Sequence, residues 1–170
     1  SRGLGDVYKR QAFTLPIHKL PSARGQGDPV SSSINSQSGS TFAGVVAGTE
    51  EDYCVLTANN GYGFIAKIEE LQTKNKSGKT ALNTKGAIPL GPEKLTSIED
   101  SYIAAITEEG KMLLIEANDL PVLAKGRGRG NKIINIDKKK FEAKENRLIF
   151  LKTLNKLSLI HISEPTRLSV

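Results

Sequence analysis

The sequence contains no tryptophan and only one cysteine, Cys54, in 170 residues. A single cysteine rules out an internal disulfide and fits a reducing compartment such as the cytoplasm. Because Cys54 lies in the apolar run 53–57, we interpret it as a buried thiol rather than a nucleophile. There is also no run of about 18 apolar residues, which excludes a membrane-spanning helix, and the first residues lack a signal-peptide pattern.

Residue patterns for catalysis and for metal binding are missing as well. His18 has no second histidine or cysteine near it, so a metal site is not predicted. The acid pairs at 69–70 and 108–109 lie in predicted turns and are interpreted as solvated charge. The segment 126–130 lacks the Gly-Lys-Ser/Thr ending of a phosphate-binding P-loop. We therefore predict no catalytic residue, no metal and no cofactor within this chain.

Glycine and cationic residues alternate between Lys125 and Gly130. Lys125, Arg127, Arg129 and Lys132 place four positive charges within eight residues, with no acid among them. Glycine permits sharp turns and close approach of the backbone, which suits the phosphates of a polyanion. The alternative is a flexible, solvated turn that is merely basic.

Positive charge is also unevenly distributed along the chain, whose net charge is +6. Residues 125–156 contain eleven Lys or Arg against three acids, whereas residues 12–124 contain nine against thirteen. The difference, +8 against −4, is typical of a protein with a basic binding face in its second half.

Short apolar runs separated by turn residues predict an all-β fold. We expect strands at 12–15, 42–47, 53–58, 63–68, 102–107, 111–116, 132–136 and 148–154. Asn59-Asn60-Gly61 predicts a tight hairpin turn because both residue types tolerate positive φ. A helical turn is expected at 69–72, a loop at 31–40, a polar segment at 73–85 and an exposed charged segment at 137–145.

The chain repeats itself with a period near 50 residues. Tyr53 and Tyr102, Gly61 and Gly110, and Leu71 and Leu120 are each 49 residues apart, and each leucine is followed by a basic glycine loop. Leu20, 51 residues before Leu71, and Gly27, seven residues after Leu20, mark part of an earlier copy. A repeat of this length that contains several short strands predicts a propeller-like array, in which neighbouring blades cover one another.

Several phrases within these repeats carry a family resemblance. They are the segments 19–27, 61–64, 105–112, 119–121 and 131–136. Together they resemble the C-terminal region of bacterial type IIA topoisomerases, and the A subunit of topoisomerase IV more than that of gyrase. No stretch reproduces the Gln-Arg-Arg-Gly-Gly-Lys-Gly box of gyrase. The resemblance implies a partial β-pinwheel, a propeller-like array of four-stranded antiparallel blades that exchange strands, whose basic rim binds and bends double-stranded DNA.

The predicted DNA-binding residues lie in the three basic glycine loops and just after them. They are Arg24, Lys76, Lys79, Lys125, Gly126, Arg127, Gly128, Arg129, Gly130 and Lys132. The lysines and arginines are expected to neutralise phosphates, and the glycines to let backbone amides approach the DNA.

The resemblance also implies features of a longer protein. That protein would be an ATP-hydrolysing type II topoisomerase, would use ATP and Mg in other domains, and would form a heterotetramer with an ATPase-bearing B subunit in the bacterial cytoplasm. We interpret 12–157 as part of its C-terminal domain, with about two full blades and parts of two more. Residues 1–11 and 158–170 resemble translated adapter sequence and are expected to be non-native tails.

Two other functions fit the same residues. A propeller-type scaffold would use the basic loops to bind an acidic protein. A single-stranded RNA binder with an Arg-Gly tract is the weaker alternative, because such proteins stack bases on exposed aromatic side chains and these loops contain none.

Overall fold

Short strands joined by tight turns make up most of the computed structural model, which describes residues 9–22, 24–125 and 127–157. The strands are β1 (Lys9–Ala12), β2 (Tyr53–Thr57), β3 (Tyr62–Lys67), β4 (Lys79–Asn83), β5 (Glu93–Leu95), β6 (Ser101–Thr107), β7 (Met112–Glu116), β8 (Asn131–Lys132) and β9 (Leu148–Asn155). The helical segments are α1 (Ile68–Leu71), α2 (Lys138–Glu142) and three 3-10 turns at Ile17–Lys19, Val30–Ser32 and Ala117–Asp119. In these ranges no helix has the length and apolar character needed to cross a bilayer.

Two hairpins of the same design organise the fold. β2 pairs with β3, and β6 pairs with β7, both antiparallel. The turn glycines Gly61 and Gly110 have φ of 85° and 82°, which is the left-handed region that favours glycine. Each glycine donates its N–H to the carbonyl three residues earlier, at 3.0 and 2.9 Å. The predicted hairpins and their 49-residue spacing are confirmed.

Strands are exchanged between successive repeats. After each hairpin the chain makes a helical turn and a glycine loop, and the next strand then pairs with the preceding repeat: β4 with β1, and β8 with β3. The following strand returns to its own hairpin, β5 to β2 and β9 to β6. The complete sheet therefore has the order β5-β2-β3-β8, with its last strand contributed by the next repeat. This antiparallel architecture confirms the predicted all-β pinwheel.

The central sheet is covered on both faces because successive side chains of a strand point to opposite sides. On one face Val55 and Ile65 belong to a buried cluster that includes Ile103 and Ala105 of the next repeat. On the other face, a second cluster joins residues of β2 and β3 to residues of β4; its members include Cys54, Phe64, Ala66, Ala81 and Leu82. Each blade is thus stabilised mainly by its neighbours.

The sheet β7-β6-β9 keeps one apolar edge open. By its order, β7 corresponds to β3, yet it has no strand on its outer side within the described residues. Met112 and Leu114 of β7 are 54% and 43% exposed, and Phe150 of β9 is 50% exposed. Met112 and Phe150 both lie opposite Ile106, so they share a face of the sheet. This face and edge are where the repeat pattern would place a following blade.

Three predicted strands differ from the structure. Residues 42–47 form no strand, and Val45 is 90% exposed; no strand of the described ranges lies beside them. The first strand is Lys9–Ala12 rather than 12–15, since its register with β4 ends where Ala12 meets Lys79. The strand predicted at 132–136 is only Asn131–Lys132, because β3 begins at Tyr62, opposite Lys132, and the chain before it is the hairpin turn. One further bond follows, from the Ile133 N–H to the Gly61 carbonyl at 2.7 Å. Ile133, Ile134 and Ile136 are buried in the core without regular pairing.

Two segments gain structure that was not predicted. β4 forms inside the polar segment 73–85. α2 forms inside the exposed charged segment 137–145, where the side chain of Asp137 accepts the Lys140 N–H at 3.0 Å and caps the helix. Lys9 to Gln11 fall within the predicted leading tail, yet they lie in β1. Residues 1–8 and 158–170 lie outside the described residues.

Candidate nucleic-acid interface

The glycine loop at 125–130 is attached to the preceding repeat rather than to its own hairpin. The Gly128 N–H donates to the Ala81 carbonyl at 2.8 Å, and the Asn83 N–H donates to the Gly128 carbonyl at 2.7 Å. Gly128 and Leu82 form a parallel bridge. The loop therefore lies along β4, which is the strand that leaves the previous glycine loop.

Close contact with neighbouring strands explains the loop glycines. Gly130 has φ of 78°, and a Cβ there would lie 1.9 Å from the Gly63 carbonyl oxygen. Gly78, its counterpart, has φ of 77°, and a Cβ there would lie 2.9 Å from the Ala12 carbonyl oxygen. Both glycines let a donated strand approach the preceding repeat. The prediction that the glycines free their amides for DNA is wrong for Gly128, whose N–H is already donated to Ala81. Gly126 lies outside the described residues.

The cations of this loop fall into two groups. Lys125 and Arg127 are exposed, and neither forms an ion pair with a residue that the structure describes. Lys132 is also exposed; its Nζ donates to Asn135 Oδ1 at 3.1 Å and lies 6.0 Å from the centroid of the Tyr62 ring. Arg129 is different: it is half-buried, and its guanidinium lies over the Tyr62 ring at 3.6 Å from the centroid. Three of the four predicted cations therefore remain open to a ligand.

The same division holds in the two earlier loops. Arg24 and Lys76 are exposed. Lys79 is half-buried, and its Nζ donates to the Glu70 carbonyl, so this ammonium group is engaged within its own repeat. The open cations of the predicted set are thus Arg24, Lys76, Lys125, Arg127 and Lys132.

Strand β4 brings the second and third loops next to each other. The second loop runs directly into β4, and the third is bonded to it at Ala81 and Asn83. From Gly78 to Leu82 the strand rises about 13 Å, at about 3.3 Å per residue. Lys85, two residues beyond Asn83, is exposed and adds a cation at the far end of this strand. Lys85 was not among the predicted site residues, because its nearness to the third loop follows only from the strand exchange.

Elsewhere in the basic second half, five of the seven cations are paired with acids, while Lys139 and Lys144 are exposed and form no ion pair among the described residues. Lys140 Nζ lies 2.5 Å from Glu109, and Arg147 Nε lies 3.3 Å from Glu108. The hydrogen bond from Lys140 holds the pKa of Glu109 below its usual range. Further pairs are Lys138–Glu142, Lys152–Glu93 and Lys156–Glu116. The charge excess of residues 125–156 is therefore most available in the glycine loop.

The repeats also match a known family model. The model described as DNA gyrase C-terminal domain, beta-propeller, matches residues 52–98 and 101–142. The two matched segments begin at the first strand of each hairpin, β2 and β6, and so coincide with the structural repeats. The chain belongs to the DNA gyrase C-terminal domain family.

Within this family, the curated relatives are A subunits of topoisomerase IV. The A subunit of DNA topoisomerase 4 from Pseudomonas aeruginosa is 39% identical over 145 residues, which is 85% of this chain and 19% of that protein. The corresponding protein of Haemophilus influenzae is 39% identical over 127 residues, 74% of this chain and 17% of that protein. The resemblance to the topoisomerase IV A subunit is confirmed, and the chain spans about a fifth of these relatives' length.

A solved structure agrees with this assignment. The E. coli ParC C-terminal domain superimposes with a TM-score of 0.74 at 30% sequence identity. The similarity covers 85% of this chain and 58% of that domain. The gyrase C-terminal domain fold of this chain is therefore supported by sequence and by structure.

Proposed function

We propose that this chain is the DNA-handling region of a topoisomerase IV A subunit. Its glycine loops bind duplex DNA through the phosphates, and bending of the DNA presents a segment to the catalytic core of the whole enzyme. The observation that carries this proposal is a group of exposed cations with no acid partner among the described residues: Lys76 and Lys85 on either side of β4, and Lys125 and Arg127 in the loop bonded to it. Many other cations of the described residues are paired with acids.

Each open cation has the same role in this proposal. Lys125, Arg127 and Lys132 contact phosphates from the third loop, and Lys76 does so from the second loop. Arg24 extends the surface from the first loop. Lys79, Gly126, Gly128, Arg129 and Gly130 complete the predicted set; those with described contacts act by holding the loops in place. Phosphate contacts carry no direct sequence information, so binding is expected to be largely independent of sequence.

Bending follows from a basic surface distributed over successive blades. Smooth bending of a 20–30 base-pair site costs of order 1–6 kcal/mol. Each additional phosphate that reaches a loop releases counterions and helps to offset that cost.

The whole protein's activity belongs to the same proposal. It is ATP-dependent decatenation and supercoil relaxation by a type II topoisomerase, with ATP and Mg bound in other domains. The partner is an ATPase-bearing B subunit, in a heterotetramer, and the location is the bacterial cytoplasm, on the chromosome.

A matched pair of charge variants tests the DNA-binding surface. Lys125→Ala with Arg127→Ala removes two open cations, and Lys152→Ala with Lys156→Ala removes two ion-paired ones at the same change in net charge. The measurement is the slope of log affinity against log salt for duplex DNA, by fluorescence anisotropy. We expect the loop variant to lower the slope by about 1.8, at 0.9 per phosphate contact, and the control to leave it unchanged. Equal slopes in the two variants would contradict the proposed surface.

A further inference from the structure

Arg129 is oriented unlike a phosphate-binding arginine. Its guanidinium lies 3.6 Å from the centroid of the Tyr62 ring, well within the range of a cation–π contact. Its Nε is buried and has no hydrogen-bond partner among the described residues. Arginine binds phosphate most strongly through two parallel N–H groups of its planar fork. Because the Nε side of the fork is buried against the protein, one side of Arg129 is closed to a phosphate.

The position of Arg129 in the loop suggests what its side chain does instead. Gly128, the residue before it, is hydrogen-bonded to β4 on both its N–H and its carbonyl. Gly130, the residue after it, is packed against Gly63 of β3 so closely that a Cβ does not fit. Tyr62 is the first residue of β3 and directly follows the hairpin turn. The Arg129–Tyr62 stack therefore lies between two backbone attachments and joins the loop to the hairpin of the preceding repeat.

We propose that the Arg129–Tyr62 stack is a positioning pair that holds the glycine loop against the preceding blade, so that Lys125 and Arg127 face outward. Arg129 and Tyr62 then act on the DNA through the loop rather than by touching it. This inference rests on the proposed function for its consequence on DNA, but the positioning itself concerns only the chain.

Amide exchange tests the positioning without DNA. In the 170-residue chain, Tyr62→Leu and Arg129→Gln remove one member of the stack each, while Tyr62→Phe keeps an aromatic face. We expect the amides of Gly128 and Asn83, which bond the loop to β4, to exchange about fivefold to thirtyfold faster in the first two variants. Tyr62→Phe should remain close to the unmodified chain. Tyr102→Leu is the control, because Tyr102 has its own cation contact, Lys156 at 5.2 Å, in another sheet.

The exchange result decides the inference even if one variant folds poorly. Arg129→Gln leaves the Tyr62 ring in place, so it provides a second route to the same loss should Tyr62→Leu fail to fold. Unchanged exchange at Gly128 and Asn83 in folded Arg129→Gln would overturn the proposal. Loss of protection in Tyr62→Phe equal to that in Tyr62→Leu would overturn it as well, since the hydroxyl would then be the group that matters.

DNA binding separates a positioning role from a phosphate contact. If Arg129 positions the loop, Tyr62→Leu and Arg129→Gln should each weaken binding about fivefold to thirtyfold, and the double variant should be no weaker than the worse single variant. If Arg129 binds a phosphate directly, only Arg129→Gln should lower the salt slope, by about 0.9, and the two effects should add. Absence of DNA binding by the unmodified chain would contradict the proposed function, while the exchange experiment would still decide the role of the stack.

Discussion

Replacement of Gly130 by alanine is expected to be far more damaging than replacement of another left-handed glycine. Gly130 and Gly110 have similar φ, 78° and 82°, so alanine meets the same backbone strain at both positions. Their surroundings differ: a Cβ on Gly110 meets nothing within 4 Å, whereas a Cβ on Gly130 lies 1.9 Å from the Gly63 carbonyl oxygen and 2.9 Å from Phe64 Cβ. The comparison therefore isolates the contact between the loop and β3.

Two contributions, backbone strain and overpacking, set the difference in unfolding free energy between the two variants. An L-residue in the left-handed region costs roughly 1–2 kcal/mol, which is the expected loss of unfolding free energy for Gly110→Ala. Overpacking typically adds 1–3 kcal/mol, and here the opposing atoms at 1.9 and 2.3 Å are backbone atoms that have no rotamer to change. We therefore expect Gly130→Ala to lose about 2–5 kcal/mol, or to release the loop from β3.

Chemical denaturation of both variants measures the loss of unfolding free energy, and amide exchange at Ile133 measures the release of the loop from β3. The Ile133 N–H donates to the Gly61 carbonyl at 2.7 Å and reports on the attachment just beyond the glycine. Equal losses of stability in the two variants, with Ile133 still protected in Gly130→Ala, would refute the reasoning.

Three further predictions concern other parts of the chain. Because Lys140 lowers the pKa of Glu109, this contact stabilises the fold above pH 4.5, the usual pKa of the carboxyl, and the stabilisation is lost as pH falls through the lowered value. Glu109→Gln should thus flatten the acid limb of a stability-against-pH curve; an unchanged limb would contradict this. Burial raises the pKa of Cys54 to about 12, so a thiol reagent at neutral pH should modify it only after denaturation. Rapid labelling of the folded chain would contradict this prediction. We expect the unmodified chain to self-associate through the open edge, and Met112→Lys with Leu114→Lys to reduce this association, as measured by sedimentation. A monomeric unmodified chain would contradict this prediction.

Local signals in the sequence were sufficient for the hairpins. Asn-Gly at 60–61 and the Glu-Glu-Gly turn at 108–110 predict tight turns, and Gly61 and Gly110 both adopt the positive φ that such turns require. The 49-residue spacing of the repeats was also predicted correctly, because local residues mark it. Leu71 and Leu120 are both buried at the end of the helical turn that follows a hairpin.

Pairing between distant strands could not be predicted in the same way. The register of Tyr62 with Lys132 joins residues 70 positions apart, and nothing local to either residue encodes it. Residues 42–47 have the composition of a strand but remain unpaired, which shows that composition alone does not supply a partner. The contact of Tyr62 with Arg129 and the nearness of Lys85 to the third loop depend on this exchange, so the sequence alone did not predict them.

The net positive charge of the second half could be predicted from the sequence, but the individual charges that remain available to a ligand could not. Residues 125–156 are basic in any reading of the sequence. Which of those charges are available depends on acids from other strands, such as Glu93, which approaches Lys152, and Glu116, which approaches Lys156. Exposed ion pairs of this kind contribute little to stability, but they do reduce the local positive field.

The most direct test of a phosphate-binding rim is the salt dependence of duplex-DNA binding by the unmodified 170-residue chain. Fluorescence anisotropy with two unrelated duplexes of equal length, at several salt concentrations, gives both the slope and the sequence dependence. The five open cations predict a slope of up to about −4.5, at 0.9 per contact, and similar affinities for the two sequences. A well-folded chain that binds neither duplex, or whose affinity does not change with salt, would contradict the account and favour a scaffold that binds an acidic protein.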